Sequence, residues 1–380
     1  VFAEIDTDVN TSIGASGETL AGTGGHDQLS LKGSGLIAAS SVGIEELIFD
    51  GADSEVFVRA TGMDSITTLT FSGQGMMAPS IGGLGSQDLV VNAVMGFEGW
   101  DTQIISSHGA LTVNLVGDPT QAALQQKASN AFDFIATTDK DVTINVESYV
   151  SASGTYTLAN VQDTISVSVA PTSTFAGHIW ASGAETISIT GGGKIGATIS
   201  GQGAKTINVD VASGTLSVGA PLAETFNLTS SGNITLDGQY QGSRLSGVKT
   251  MSINIGNGTA DLSGTNLGFQ DMQNLMLSGD GSTSTVLLNH ISSSATNLAV
   301  TINGLGGGFS ASHIENADGS LVIDATLMTG QLSLGDLDIE GDAVIGTGKS
   351  GWIYLSNTKT GGDFTLDSTS YSSGVGNLHV

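Results

Sequence analysis

The sequence predicts an all-β protein built as a parallel β-helix (β-solenoid) with coils of about 20–25 residues and one short helical insertion. Three observations carry this prediction. A short strand-like phrase recurs along the chain, glycine-rich corners separate the phrases, and the composition suits thin β layers. Glycine occurs 55 times and hydrophobic residues make up 39% of the chain, but aromatic residues only 5%. The core must therefore consist mainly of Val, Ile, Leu and Ala.

The recurring phrase is a small or polar lead-in followed by an apolar–polar–apolar triplet. It stands at 184–189, 204–209, 223–228 and 248–253, with weaker copies at 275–277, 298–300 and 321–323. The first apolar position of the phrase extends upstream through Ile165, Ile144, Val113, Leu89, Leu69, Leu47 and Leu29. Alternation with period two marks each phrase as a strand with one buried face.

Each period holds at least one further strand-like piece, such as 215–218 or 233–236, and glycine-rich corners such as 191–193. This arrangement matches one coil of a parallel β-helix, in which each strand pairs with its equivalent one coil away and relies on it for burial. An array of β-sandwiches also has short strands at this spacing. Its antiparallel hairpins would not bring the same phrase back in every period.

Two departures from the repeat define the predicted domain boundaries. The stretch 118–134 interrupts the pattern, and Pro119 followed by strong helix formers at 121–128 predicts a capped helix of about two to three turns. We therefore expect a solenoid over 1–320 with a helical insertion near 118–134. After Leu321 the strand-like segments follow more closely, which predicts irregular terminal coils or a cap over 321–380.

The charge of the chain excludes several partners. Asp and Glu number 36 against 10 Lys and Arg, which gives a formal charge of −26. Such a field repels phosphate backbones and anionic lipids, so we expect neither nucleic-acid binding nor membrane insertion. It attracts divalent cations, which would relieve the repulsion between like charges.

Several carboxylates are candidate calcium ligands. The densest group lies at 334–342, where Asp336, Asp338 and Glu340 would point to one face of a strand and Leu337 and Ile339 to the other. Such a row is also typical of a merely solvated face. Further candidates in this and other turns are Asp342, Asp50, Asp53 and Asp280.

The sharpest local motif lies near the N-terminus, at 18–31. Gly22, Gly25, Asp27 and Leu29 fit the calcium-binding nonapeptide G-G-x-G-x-D-x-apolar-x, while Thr23 replaces the second glycine. In such a motif glycines turn the chain tightly, the Asp binds the ion and the apolar residue anchors the strand, which makes Asp27 a candidate ligand. A glycine turn with a solvated Asp is the plain alternative.

The whole chain resembles the assembly region of RTX-type bacterial surface-layer proteins, which are secreted by the type I route. The resemblance rests on the segment 19–29, on the phrase 42–49 and on the later Ala-Glu-Thr-Ile/Phe copies. It implies an extracellular protein of the bacterial cell surface that assembles with copies of itself in a calcium-dependent lattice, with cell-surface polysaccharide as a further candidate partner. Type I-secreted adhesins and two-partner haemagglutinins share many of these sequence features.

We do not expect an enzyme. Cysteine is absent, which excludes thiol catalysis, thiolate metal sites and disulfides. The histidines lack the short spacing of metal-binding motifs: His26, His108, His178, His290, His313 and His379. Parallel β-helices also include polysaccharide lyases and hydrolases, but only two arginines are present and no basic residue stands beside an acidic cluster of the sequence in an obvious way. The leading expectation is a surface-layer component, followed by an adhesin or haemagglutinin stalk, and then by a polysaccharide enzyme.

Overall fold

The computed structural model describes residues 2–6, 19–21, 26–32, 35–37, 40–50, 56–59, 65–72, 75–77, 80–82, 84–94, 97–99, 102–105, 109–117, 128–130, 132–237, 245–264, 271–348, 352–367 and 377–379. They form a parallel β-solenoid, as predicted: strand after strand pairs in parallel with its counterpart one coil along. The chain divides into two compact units, 1–198 and 199–380.

The first unit contains two main stacks of parallel strands and two short parallel pairs. In chain order its strands are β1 Phe2–Asp6, β2 Thr19–Ala21, β3 Gln28–Lys32, β4 Gly35–Ile37, β5 Ser40–Val42, β6 Glu46–Asp50, β7 Val56–Arg59, β8 Thr68–Ser72, β9 Gly75–Met77, β10 Ser80–Gly82, β11 Leu89–Val94, β12 Phe97–Gly99, β13 Thr102–Ile105, β14 Leu111–Val116, β15 Ala128–Asn130, β16 Phe134–Thr137, β17 Val142–Val146, β18 Val150–Ala152, β19 Thr155–Ala159, β20 Thr164–Val169, β21 Thr174–Phe175, β22 His178–Ala181 and β23 Thr186–Thr190. Strand β24, Lys194–Gly201, contains the boundary between the units.

The second unit also contains two stacks of parallel strands, and three of its strands have nine residues. In chain order its strands are β25 Thr206–Val211, β26 Ser213–Gly219, β27 Thr225–Ser230, β28 Ile234–Asp237, β29 Thr250–Ile255, β30 Thr259–Leu262, β31 Asn274–Gly279, β32 Thr285–Ser293, β33 Asn297–Asn303, β34 Gly308–Asn316, β35 Ser320–Leu327, β36 Gln331–Ile339, β37 Ala343–Thr347, β38 Trp352–Leu355, β39 Thr358–Thr360, β40 Phe364–Asp367 and β41 Asn377–His379.

Alternating side chains explain why these segments form strands that stack. In β11, β14 and β17 every second residue is buried and the residues between are partly exposed. The buried side chains of successive coils contact one another inside the solenoid, so each coil supplies apolar surface that its neighbour needs. Aromatic residues stack in the same way: the Phe71 ring lies 4.8 Å from Phe49 and 5.5 Å from Phe132 between ring centroids.

A predicted glycine corner is also present. Residues 191–193 form a bend between β23 and β24. Gly191 has a φ of +128°, and a Cβ there would lie 2.1 Å from the carbonyl oxygen of Val169. Only glycine allows the two coils to approach this closely at the corner.

The register between coils differs from the sequence alignment of the phrases in four of the described strand pairs. Leu69 pairs with Val91 instead of Leu89, and Leu89 pairs with Leu111 instead of Val113. Ile144 pairs with Val167 instead of Ile165, and Leu275 pairs with Val300 instead of Leu298. Each shift is two residues. Because the side-chain period of a strand is two, such a shift keeps the same face buried, and the alternation therefore cannot reveal it.

The structure does not test the other domain predictions. Within 118–134, residues 118–127 and 131 lie outside the described residues, and the described remainder includes β15 and the first residue of β16. The described residues contain no helix that is long and apolar enough to cross a membrane. The strands between Ser320 and Asp367 pair in parallel like those before them, and the boundary predicted at 320 stays a prediction.

Candidate cation-binding site

The predicted acidic row lies on the outer surface of the second unit. Asp336, Asp338 and Glu340 are exposed, while Leu337 and Ile339 between them are buried. Asp336 and Asp338 belong to β36, and Glu340 follows its last residue. This is the face assignment that the alternation predicted.

A corner in the middle of three stacked strands determines which side chains join this row. In β32, β34 and β36 two successive residues face outward, which interrupts the alternation. These pairs are Asn289–His290, Ser312–His313 and Gly335–Asp336. A Cβ on Gly335 would lie 2.0 Å from the carbonyl oxygen of Ser312, so the corner of β36 requires glycine.

The corner aligns four polar residues that we call the corner column: His290, His313, Asp336 and Asn357. His290 pairs in register with His313, and His313 with Asp336. The two imidazole rings lie 4.6 Å apart between centroids, and His313 Nδ1 lies 4.0 Å from Asp336 Oδ2. The Asn357 amide donates a hydrogen bond to Asp336 Oδ1 at 2.7 Å. Asn357 has a φ of +51°, a conformation that Asn tolerates better than most residues.

A second column runs beside the first, two residues further along each strand. It consists of Ser292, Glu315, Asp338 and Lys359, each in register with the next. Lys359 Nζ lies 3.0 and 3.3 Å from the two carboxylate oxygens of Asp338. The hydrogen bond to Asp338 raises the pKa of Lys359. Protein groups therefore already engage the carboxylates of Asp336 and Asp338.

The two columns bring together His290, His313 and Glu315. Their donor atoms all lie within 4.8 Å of one another, and His290 Nε2 is 3.7 Å from Glu315 Oε2. The side chains are 45%, 33% and 41% exposed, respectively. Among the described residues, this is the one group of three or more such side chains whose donor atoms could meet at a single ion.

Sequence reasoning missed this group because it looked for ligands a few residues apart. His290 and His313 are 23 residues apart, as are His313 and Asp336, and Glu315 and Asp338. That distance is one coil in this part of the chain. In a parallel solenoid the informative spacing for a site is the coil length, and a search at that spacing would have found both columns.

The other predicted ligands lie apart from this group. Asp27 is buried at 2% exposure, and its N–H donates to Glu45 Oε2 at 2.8 Å. Asp280 is exposed in the turn after β31, and Asp342 accepts a hydrogen bond from the Asp363 N–H at 2.9 Å. Asp50 ends β6, where it pairs with Ser72. Asp53, like Gly22 and Gly25 of the nonapeptide motif, lies outside the described residues.

One acidic group of the first unit is largely buried and held by hydrogen bonds. Glu46 accepts from Gln28 Nε2 at 2.5 Å and from Thr70 Oγ1 at 2.6 Å, and His26 Nε2 lies 3.1 Å away. Burial raises the pKa of Glu46, but the hydrogen bonds from Thr70, His26 and Gln28 outweigh this effect, so its pKa is lowered. These contacts stabilise Glu46 as a carboxylate that links three coils.

No match to this chain was found among protein-family models, curated proteins or solved structures.

Proposed function

We propose that this chain is a structural, non-enzymatic component of a bacterial surface layer, which assembles on the outside of the cell from copies of itself with the help of calcium. The observation that carries the proposal is the combination of a parallel solenoid with a formal charge of −26. Stacked coils repeat the same outward positions again and again, which is the geometry that a lateral contact between identical molecules can use.

The charge explains the role we assign to calcium. Two copies of a molecule with this charge repel each other at low ionic strength. Calcium binds carboxylate, carbonyl and water oxygens, so it could bridge acidic surfaces of neighbouring copies. Exposed acids such as Glu340 and Asp280 are candidates for such bridges. Asp336 and Asp338 could also bind calcium, once the ion replaces Asn357 and Lys359 as the partners of their carboxylates.

Exposed apolar side chains in the second unit support contact with another copy. Val322 and Val344 are 43% and 37% exposed, and they pair in register on the neighbouring strands β35 and β37. Such a pair gains free energy when a second molecule covers it.

Electron microscopy of the purified full chain tests the proposal. We expect ordered sheets at about 1 mM calcium, a concentration typical of extracellular calcium modules, and their dispersal by a calcium chelator. Magnesium at the same concentration controls for simple charge screening. A monodisperse rod that neither calcium nor chelator changes would overturn the proposal and favour an adhesin stalk. Release of unsaturated or reducing sugars from polysaccharide would instead favour an enzyme.

A pair of variants locates the contact. Val322→Lys combined with Val344→Lys should prevent or greatly reduce sheet formation, since it places charges on the proposed contact. Thr301→Lys on β33, the strand on the other side of β35, is the control, because it adds a charge of the same sign at a partly exposed position outside the valine pair. Equal sheet formation by both variants would exclude the valine pair from the contact.

A further inference from the structure

The group formed by His290, His313 and Glu315 has a chemistry that differs from that of a calcium site. Two of its three donor atoms are imidazole nitrogens, whereas calcium prefers oxygen ligands. Imidazole with a single carboxylate is a ligand set that suits zinc, copper and nickel. The cluster therefore points to a different class of ion from the one expected for assembly.

We propose that His290, His313 and Glu315 form a binding site for a divalent transition-metal ion of the zinc class on the outer face of the second unit. The proposal does not depend on the surface-layer function. It concerns three side chains on two neighbouring strands, β32 and β34, which the parallel register holds side by side.

The distances fit such an ion after small side-chain movements. With zinc–nitrogen bonds of about 2.0–2.1 Å, tetrahedral ligand atoms lie about 3.3 Å apart. His290 Nε2 and Glu315 Oε2 are already 3.7 Å apart, and the widest separation within the group is at most 4.8 Å. All three side chains are partly exposed, so rotation about their side-chain bonds can close the remaining gap. Their exposure also leaves a fourth position open to water.

Asp336 lies beside His313 on the next strand, where it can orient the imidazole. Asp336 Oδ2 lies 4.0 Å from His313 Nδ1. After a small side-chain movement this carboxylate can accept a hydrogen bond from the Nδ1–H group and so direct Nε2 toward the ion, which makes Asp336 a positioning residue.

Asp338 and Lys359 complete the description of the charges around the site. Asp338 pairs in register with Glu315 on the neighbouring strand, and Lys359 neutralises Asp338 from the far side. The cation of Lys359 thus has a partner of its own in Asp338. The Glu315 carboxylate can therefore bind the metal ion.

Calorimetric titration of the full chain with zinc chloride near neutral pH, after removal of bound metal, tests the proposal. We expect one zinc site that persists in excess calcium and weakens by at least about tenfold in His290→Ala and His313→Ala, since even loss of an outer partner costs about 10- to 100-fold. His178→Ala is the matched control: His178 stacks on Trp180 in the first unit and should leave zinc binding unchanged. Unchanged binding in both His290→Ala and His313→Ala would overturn the proposal.

A spectroscopic measurement on the unaltered chain keeps the test independent of variant folding. With one equivalent of copper(II), electron paramagnetic resonance should show coupling to two imidazole nitrogens. A signal without nitrogen coupling would overturn the proposal even if the variants failed to fold. Because neither experiment involves assembly, failure of the metal site leaves the surface-layer proposal standing, and failure of sheet formation leaves the metal site standing.

Discussion

Two columns of outward-facing side chains, one in each unit, both arise from in-register pairing of successive strands, but they carry different side chains. In the first unit Asn92, Asn114 and Asn145 pair in register and form an asparagine ladder, with amide hydrogen bonds of 2.8 and 2.9 Å between neighbours. In the second unit the corner column sets two imidazoles beside a carboxylate. In-register stacking thus places the side chains of equivalent positions next to one another on successive coils.

The difference shows what stacking requires of a side chain. An amide has both donors and an acceptor, so identical amides satisfy one another and the ladder extends without any other group. Histidines and carboxylates repeated at coil spacing repel their own kind when charged, so they need a partner of another type. Asn357 and Lys359 are such partners at one end of the two columns, and we propose a metal ion for the group at the other end.

The largest expected effect comes from removing inward packing in the first unit. Phe71→Ala should lower the free energy of unfolding by about 3–5 kcal/mol, because this fully buried ring stacks on Phe49 and contacts Phe132. Urea denaturation followed by circular dichroism measures the effect, and Phe71→Leu should cost less. A loss below about 1 kcal/mol would show that the coils of the first unit do not depend on this packing.

A smaller effect is expected from the corner itself. Gly335→Ala should cost about 1–3 kcal/mol, since the new Cβ would lie 2.0 Å from the Ser312 carbonyl oxygen. The displaced corner should also weaken zinc binding, because Asp336 would move relative to His313. Gly346→Ala is the matched control, since its Cβ would find its nearest atom at 3.6 Å. Equal stability of the two variants in urea denaturation would contradict the corner geometry.

The asparagine ladder should contribute less. Asn114→Ala removes the acceptor for the Asn145 amide and the donor to Asn92 Oδ1, and we expect a loss of about 1 kcal/mol. Thr112→Ala, two residues away on the same face of β14, controls for the loss of outward side-chain contacts. If urea denaturation shows the same cost for both, then the ladder adds nothing beyond ordinary strand packing.

The smallest effect concerns charge in the first unit. The lowered pKa of Glu46 means that its carboxylate stabilises the fold above the ordinary value of about 4.5, and that this stabilisation disappears as the pH falls through the lowered pKa. Glu46→Gln should therefore destabilise the chain more at pH about 7 than at pH about 3. Gln28→Met, which removes one donor to Glu46, should give a smaller change of the same sign. If the urea midpoint of each variant differed from that of the unaltered chain by the same amount at both pH values, the result would contradict this prediction.

The sequence was informative about the coil and poor about the site. Period-two alternation identified the strands and the outward face of Asp336 and Asp338, because that signal lies within a few residues of each position. The sequence analysis did not find the group around His290, because His290 lies one coil away from His313 and Glu315, at a spacing that no local pattern marks. The predicted roles of the eight calcium candidates stay predictions.

The amino-acid sequence by itself determined the fold class and the inner face of each strand, since burial in a strand follows local alternation. Tertiary structure alone decided which residues of neighbouring coils meet. Register shifts of two residues leave the alternation unchanged, and the corner at Gly335–Asp336 depends on contact with the coil below it. The columns arise from that contact, and with them the chemistry proposed for the surface of this protein.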